Sequence, residues 1–237
     1  METTRIAQKK IAMTLSLLSL DKKTGTFAGV TATGNLCVGG WVLRGHPLGG
    51  LTASQGAEPS VIWGEEVLQR MRDGVSAQQA IESVTASDPR CEWRQIAALD
   101  TAGSTATFSG CENGKLISEI ADDSLVLAGN ILSNDHVLTC MREEFVKTDR
   151  EISDRLIAAL RAGAEVGGDS RGLMSAAMLV LPPDLPPLTL RVDFDESPID
   201  RLDFLLQKTR DTDYSAWLKK LPTHKYPHSS DAYQSVE

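Results

Sequence analysis

The sequence predicts an α+β fold in which two packed, mainly antiparallel sheets carry helices on both outer faces. The predicted elements run in the order strands, two helices, strands, two helices, two strands and one helix. This order is neither the strict β–α alternation of a doubly wound sheet nor an all-β sandwich. Several of the strand segments are also apolar on both faces. This pattern is typical of strands that are covered by other elements on both sides of the sheet.

The first quarter of the chain predicts β structure. Residues 14–20 and 26–33 flank the turn Asp21–Gly25, which is the pattern of a hairpin. Two further apolar runs, at 36–43 and near 48–55, predict a third and a fourth strand. Glycines interrupt both of the later runs.

Two helices are predicted next. Apolar residues recur at helical spacing from Trp63 to Met71, and the pattern stops before Gly74. The second helix opens at Ser76, where Gln79 three residues on completes a capping-box signature.

The rest of the chain completes a single domain. The predicted elements are a hairpin of 94–100 and 104–109, a strand at 124–128, helices at 131–147 and 151–165, strands at 174–181 and 188–194, and a helix from Ser197-Pro198. We expect one domain over residues 14–220, a leader over residues 1–13 that is absent from a mature protein, and a surface tail over residues 221–237.

Composition limits the function. The 237 residues carry a net charge of −8 with scattered acidic side chains, which argues against nucleic acid and anionic membrane surfaces as partners. No apolar run approaches the roughly 20 residues of a membrane helix. The four cysteines have no Cys-x-x-Cys spacing, and we expect them to be reduced and not to form a disulfide framework. We therefore expect a cytoplasmic protein.

The common motifs of catalysis do not occur: there is no Gly-rich phosphate loop, G-x-S-x-G or H-E-x-x-H. His136 and Cys140, four residues apart on a predicted helix, would form part of a zinc site with Asp135 and His46, although a helix face packed on a sheet explains the pair as well. Cys37 lies in an apolar run and is interpreted as a buried structural residue.

Thr14 is the more informative candidate. A threonine hydroxyl is a poor nucleophile unless a base takes its proton. If Thr14 begins the mature chain, its own α-amine, with a reference pKa of about 7.7–8.0, supplies that base near neutral pH. The alternative is an ordinary β-branched residue at the start of a strand.

The sequence also resembles a bacterial family of uncharacterised function assigned to the N-terminal-nucleophile (Ntn) hydrolase superfamily. The resemblance spans roughly residues 13 to 208 and is carried by MTLSLLSLDKKTGTFAGV, RQIAALDTAGSTATFSG, LVLAGNIL, GGDSRGLMSAAMLVL and LRVDFDESPIDRL. It implies a four-layer αββα sandwich and amide hydrolysis through an acyl-enzyme on Thr14. The residues before Thr14 depart from this pattern, since the amine is an amide while Met13 is attached.

Other residues have candidate roles beside Thr14. Arg171 is expected to bind a substrate carboxylate through its planar fork, and Asp169 to orient that arginine or bind a substrate amine; a surface ion pair is the alternative. Asn130 is expected to donate to the oxyanion, the alternative being a helix N-cap. Gln55 is expected to hydrogen-bond substrate, or to be an exposed loop residue.

Ser175 and Asp21 are weaker candidates for the same cleft, each with a structural alternative. The sequence thus predicts an Ntn-type amidohydrolase that cleaves a small polar amide, needs no metal or organic cofactor and forms a homodimer. Two alternatives remain: a non-catalytic small-molecule-binding protein with a blocked terminus, and a zinc hydrolase.

Overall fold

The computed structural model describes residues 13–167 and 172–228. The strands in this part of the chain are β1 (Thr14–Asp21), β2 (Thr26–Thr33), β3 (Leu43–His46), β4 (Gly50–Gly56), β5 (Arg94–Leu99), β6 (Thr105–Ser109), β7 (Ile117–Asp122), β8 (Leu125–Asn130), β9 (Ser175–Leu181) and β10 (Leu188–Val192). The helices are α1 (Val38–Trp41), α2 (Val61–Arg72), α3 (Ala77–Thr85), α4 (Val137–Val146), α5 (Ile152–Glu165), α6 (Pro198–Thr209) and α7 (Thr212–Leu218).

The strands form two antiparallel sheets, so the mixed α+β class is confirmed. The first sheet has six strands in the order β10-β9-β2-β1-β8-β7, and the second has four in the order β3-β4-β5-β6. Helices α4 and α5 contact the first sheet, and α2 and α3 contact the second. Across the gap between the sheets, β1 contacts β4 and β5, and β8 contacts β5.

Strand β1 lies between β2 and β8 in the first sheet, and its side chains are buried on both faces. Leu15 and Leu17 belong to the core that includes Leu156 of α5. Leu18 belongs to a different core, which includes Leu51 and residues of β5 in the second sheet. Alternation along a strand therefore places the even-numbered residues of β1 toward the second sheet.

The local signals for turns and caps are confirmed. In the β1–β2 turn, Asp21 accepts the backbone N–H of Lys23 at 2.9 Å, and Gly25 adopts a φ of 70°. The Ser76 side chain accepts the N–H of Gln79 and caps α3 as predicted. In α2, the apolar positions from Trp63 to Met71 face the core.

One predicted strand and the start of one predicted helix are wrong. The run 36–43 is not a strand: it holds a left-handed Cys37, with φ 61°, and the short helix α1, and β3 begins only at Leu43. The helix predicted from residue 131 begins at Val137, and Ile131 is left-handed with φ 57°, which excludes it from a helix. Strand β7 and helix α7 have no counterpart among the predicted elements.

Residues 221–228 contact the body of the protein. Thr223 is buried, and the rings of His224 and His46 lie 4.9 Å apart, edge to face. No described helix has the length and apolar character needed to cross a membrane.

Candidate active site

Four polar residues lie side by side across the first sheet. Thr14 of β1 is opposite Thr33 of β2 on one side and Asn130 of β8 on the other, and Thr33 is opposite Ser175 of β9. Directly opposite residues of antiparallel strands project from the same face. This line, the Thr14 row, therefore faces the second sheet, as the even-numbered residues of β1 do.

Thr14 lies at the start of β1 and is 7% exposed. Its Oγ1 is 3.2 Å from Oγ1 of Thr33. The Thr33 hydroxyl donates to the carbonyl oxygen of Met13, which also accepts the N–H of Gly34 at 3.2 Å. Since a hydroxyl has one proton to donate, the Thr14 hydroxyl is the donor toward Thr33.

A buried polar layer between the two sheets supports the Thr14 row: Ser16 comes from β1, Gln55 from β4 and Gln95 from β5. The Ser16 hydroxyl donates to Oε1 of Gln55 at 2.6 Å. Nε2 of Gln55 donates to Oε1 of Gln95 at 2.7 Å and to the carbonyl of Thr14 at 3.3 Å. The polar layer therefore holds the Thr14 backbone against the second sheet.

Gln95 extends this support to the strand that carries Asn130. Its Nε2 donates to Oγ of Ser109 at 2.8 Å and to the carbonyl of Gly129 at 3.2 Å. Gly129 immediately precedes Asn130. The two glutamines together therefore hold the backbones of β1 and β8 at the position of the Thr14 row.

The Asn130 side chain is fully buried, and neither atom of its amide has a hydrogen-bond partner among the described residues. A buried polar group without a partner costs about 1–3 kcal/mol. The next residue, Ile131, has a φ of 57°, a conformation unfavourable for a β-branched side chain. Asn130 ends β8 and is not a helix N-cap, since α4 begins seven residues later.

A cavity of about 710 Å³ opens beside Thr14. Its polar corner is formed by Thr14, Thr33, Asn35 and Gln55. This volume lies in the range typical of sites for small organic ligands. We call it the Thr14 cavity.

Apolar side chains form most of the remaining lining. From the loop and helix after β2 come Leu36, Val38, Trp41 and Val42. Pro59 comes from the segment after β4, and Trp93 from the segment before β5. Glu58 lies at the edge, where the Arg90 guanidinium holds it with two contacts of 2.6 and 2.8 Å and lowers the pKa of its carboxyl.

The remaining predicted residues fall in different places. Ser175 lies in the Thr14 row but ties down the loop before α1, donating to the carbonyl of Asn35 at 2.7 Å. Asp21 ends β1, about 23 Å from Thr14 at the usual rise of a strand, and therefore lies outside this cleft. Arg171 and Asp169 are outside the described residues, so their roles stay predictions.

The residues considered for zinc are dispersed. His136 is exposed beside Asp135, whereas His46 contacts His224. Among the described residues, no group of three His, Cys, Asp or Glu side chains is arranged to hold a metal ion. Cys37 is half-buried in the wall of the Thr14 cavity.

Sequence reasoning missed Thr33, Ser16 and Gln95. A signal was present, because hydroxyl residues alternate with apolar ones in T-L-S-L at 14–17 and in T-A-T at 31–33. Such alternation places the hydroxyls on one face, where they lie opposite one another in the hairpin.

A family model matches residues 14–202, and its description is a family of unknown function, DUF1028. The chain belongs to DUF1028. A crystal structure of protein SPO2555 from Silicibacter pomeroyi, also described as DUF1028, is similar to this DUF1028 protein with 44% identity and a TM-score of 0.87. The match covers 92% of this chain and 98% of the other. The search of curated proteins found no match.

Proposed function

We propose that this DUF1028 protein is an amidohydrolase of the Ntn type, with Thr14 as nucleophile. The buried, unpartnered amide of Asn130 directly opposite Thr14 is the observation that carries the proposal. Helices α4 and α5 pack on one sheet, and α2 and α3 pack on the other. This arrangement supports the four-layer αββα sandwich of such enzymes. The family match itself begins at Thr14.

In the proposed reaction, Thr14 Oγ1 attacks the carbonyl carbon of the amide while the α-amine of Thr14 takes the hydroxyl proton. The Asn130 Nδ2 donates to the oxyanion of the tetrahedral intermediate. The C–N bond then breaks and the leaving nitrogen receives the proton from the α-ammonium. Water attacks the resulting ester, with the amine again as base, and releases the acid.

This reaction requires a form of the protein in which Met13 has been removed, because the peptide bond from Met13 converts the Thr14 amine into an amide. The proposal needs no cofactor. A cytoplasmic location and a homodimer remain predictions that accompany it.

Variants of Thr14 test the proposal. Thr14→Ala should abolish amide hydrolysis, and Thr14→Ser should retain part of it, because the hydroxyl and the amine both remain. Thr26→Ala is the matched control, since Thr26 is equally buried at the other end of the same hairpin. Hydrolysis is followed over a panel of N-acyl amides by fluorescamine detection of the released amine. Full activity in Thr14→Ala contradicts the mechanism.

A non-catalytic binding protein is the second candidate, and one observation favours it. The Met13 side chain is fully buried, and its carbonyl accepts hydrogen bonds from Thr33 and Gly34. Met13 is therefore well accommodated while attached. A chain that keeps Met13 in the cell would retain the Thr14 cavity without the catalytic amine.

A further inference from the structure

The lining of the Thr14 cavity carries information about the ligand. Its hydroxyl and amide side chains are Thr14, Thr33, Asn35 and Gln55, its carboxylate is Glu58, which is paired with Arg90, and the other large side chains of the lining are apolar. Pockets of this kind use their few polar groups for orientation and their apolar walls for affinity. The ligand therefore has a polar end at Thr14 and an apolar remainder.

Two large apolar side chains of this lining are exposed. Trp41 is 51% exposed and Leu36 is 48% exposed. A second tryptophan, Trp93, lines the cavity from a different segment and has the Arg90 guanidinium over its ring, 5.6 Å from the centroid. An aromatic or aliphatic group in the cavity would remove apolar area of these side chains from water.

The wall that carries Trp41 is held in place by the backbone. The N–H of Cys37 donates to the carbonyl of Asp193 at 3.0 Å, and the N–H of Val38 donates to Oγ of Ser175 at 3.1 Å. A Cβ on Gly39 would lie 2.7 Å from Cγ of Arg191, so helix α1 packs on β10 at a distance that only glycine allows. The wall is thus formed before a ligand binds, which lowers the entropic cost of binding.

The charges in the lining argue against an anionic ligand. Among the described residues that line the Thr14 cavity there is no lysine, arginine or histidine. The ionisable carboxyl there is Glu58, and it is already paired with Arg90. An anionic ligand would lose its water of hydration and find no unpaired cation among the described lining residues to replace it.

We infer that the Thr14 cavity takes a neutral amide that bears a large apolar group, an aromatic ring in particular, with the amide at Thr14 and the ring against Trp41. This inference names the substrate class and rests on the proposed function for the reaction, although binding itself needs no catalysis. It departs from the small polar, carboxylate-bearing amide that the sequence predicts.

Three matched probes test the ligand class: phenylacetamide, acetamide, which lacks the ring, and phenylacetate, which carries a negative charge. Affinities for the full-length protein are measured by ligand-observed NMR titration. Phenylacetamide should bind at least about tenfold more tightly than either of the others, the factor expected from burial of one aromatic ring. Equal affinities for phenylacetamide and acetamide, or tightest binding of phenylacetate, overturn the inference.

Two tryptophan variants locate the site. Trp41→Ala should weaken phenylacetamide binding about tenfold, whereas Trp217→Ala should leave it unchanged; Trp217 is also 51% exposed but lies on α7, outside the cavity lining. Leu36→Ala, expected to cause a smaller loss, is the second variant if Trp41→Ala does not fold by circular dichroism. Equal losses in the two tryptophan variants overturn the inference.

The binding result is separable from the proposed function. The full-length protein needs no free Thr14 amine to bind phenylacetamide, so the predicted affinities support the ligand class by themselves. If a form that begins at Thr14 binds phenylacetamide with this pattern but hydrolyses no amide, the proposed function fails and the ligand class is supported. If hydrolysis occurs but acetamide is bound as tightly as phenylacetamide, the ligand class fails.

Discussion

Thr14 and Asn130 lie directly opposite each other on neighbouring antiparallel strands, and the fully buried amide of Asn130 has no hydrogen-bond partner among the described residues. Buried amides nearly always have partners. An unpartnered buried amide costs stability, and in a native protein it calls for an explanation such as a catalytic role. The Asn130 amide therefore lowers the stability of the fold and, in the proposed reaction, donates a hydrogen bond beside Thr14.

Substitution of Asn130 by leucine should separate these two properties. Asn130→Leu replaces the unpartnered amide by an apolar group of similar shape, so the free energy of unfolding should rise by about 1–2 kcal/mol. Amide hydrolysis should fall by about 10²-fold or more, because a donor to the oxyanion is lost. Urea denaturation and initial-rate kinetics measure the two effects.

Asn113→Leu is the matched control for this prediction. Asn113 is also fully buried, but its amide donates to the carbonyls of Arg94 and Gly110 and accepts the N–H of Ala57. The same substitution there should destabilise the protein by about 2–4 kcal/mol. If both variants are destabilised alike, the Asn130 amide has partners in solution and the argument from its burial fails.

The polar layer should be needed for stability and for the position of Thr14. Gln55→Leu removes one hydrogen bond each from Ser16, Gln95 and the Thr14 carbonyl, and the free energy of unfolding should fall by about 2–4 kcal/mol. Hydrolysis should then fall mainly in kcat, since the Thr14 backbone is no longer held.

Gln78→Leu serves as the control for Gln55, because Gln78 is exposed on α3 and bonds Glu82 on the same helix. Its unfolding free energy should change by no more than about 0.5 kcal/mol. An equally small change in Gln55→Leu would show that the buried hydrogen bonds between the sheets contribute little.

The half-buried His46 predicts a pH dependence of stability. Burial, the Arg72 charge and the neighbouring His224 lower the pKa of His46 from its ordinary value of 6.5. The unfolded chain therefore takes up this proton first as the pH falls, so stability is lost as the pH drops through 6.5 and toward the lower pKa of the folded state.

Comparison of variants isolates this contribution. The free energy of unfolding is compared at pH 7.5 and pH 5.5, about one unit on each side of the ordinary histidine pKa. Its loss between these two pH values should be smaller in His46→Gln than in the unaltered protein. His136→Gln, at an exposed histidine before α4, should retain the full loss. Identical pH profiles for all three proteins would contradict the role of His46.

Much of the fold was predictable because local and tertiary signals agree. The β1–β2 hairpin has a turn sequence between two apolar runs, and both strands are buried where they were expected. Helices α2 and α3 have an apolar face and a serine cap each. In these elements the periodicity, the caps and the burial lead to the same assignment.

The errors arise where backbone conformation is set by packing. A short apolar run does not distinguish a strand from a buried helical turn, and residues 38–41 form α1, where Gly39 allows close contact with β10. The left-handed conformations of Cys37 and Ile131 have no sequence signature. Strand β7 pairs with β8 alone at the sheet edge, so its half-exposed residues give a weak pattern.

The candidate site was predictable only in part. Thr14 and Asn130 were expected near the reaction, and the strand register places them opposite each other. Gln55 was expected at the substrate, but both ends of its amide are engaged by Ser16, Gln95 and the Thr14 carbonyl. Those contacts join residues about 40 positions apart in the sequence, which local patterns do not reveal.

The N-terminus of the protein in its native host tests the central claim most directly. Intact mass and N-terminal sequencing of protein purified from those cells should show a chain that begins at Thr14, with a free α-amine available as the base. A chain that still carries Met13 would contradict the proposed mechanism, since the Thr14 nitrogen would then be an amide.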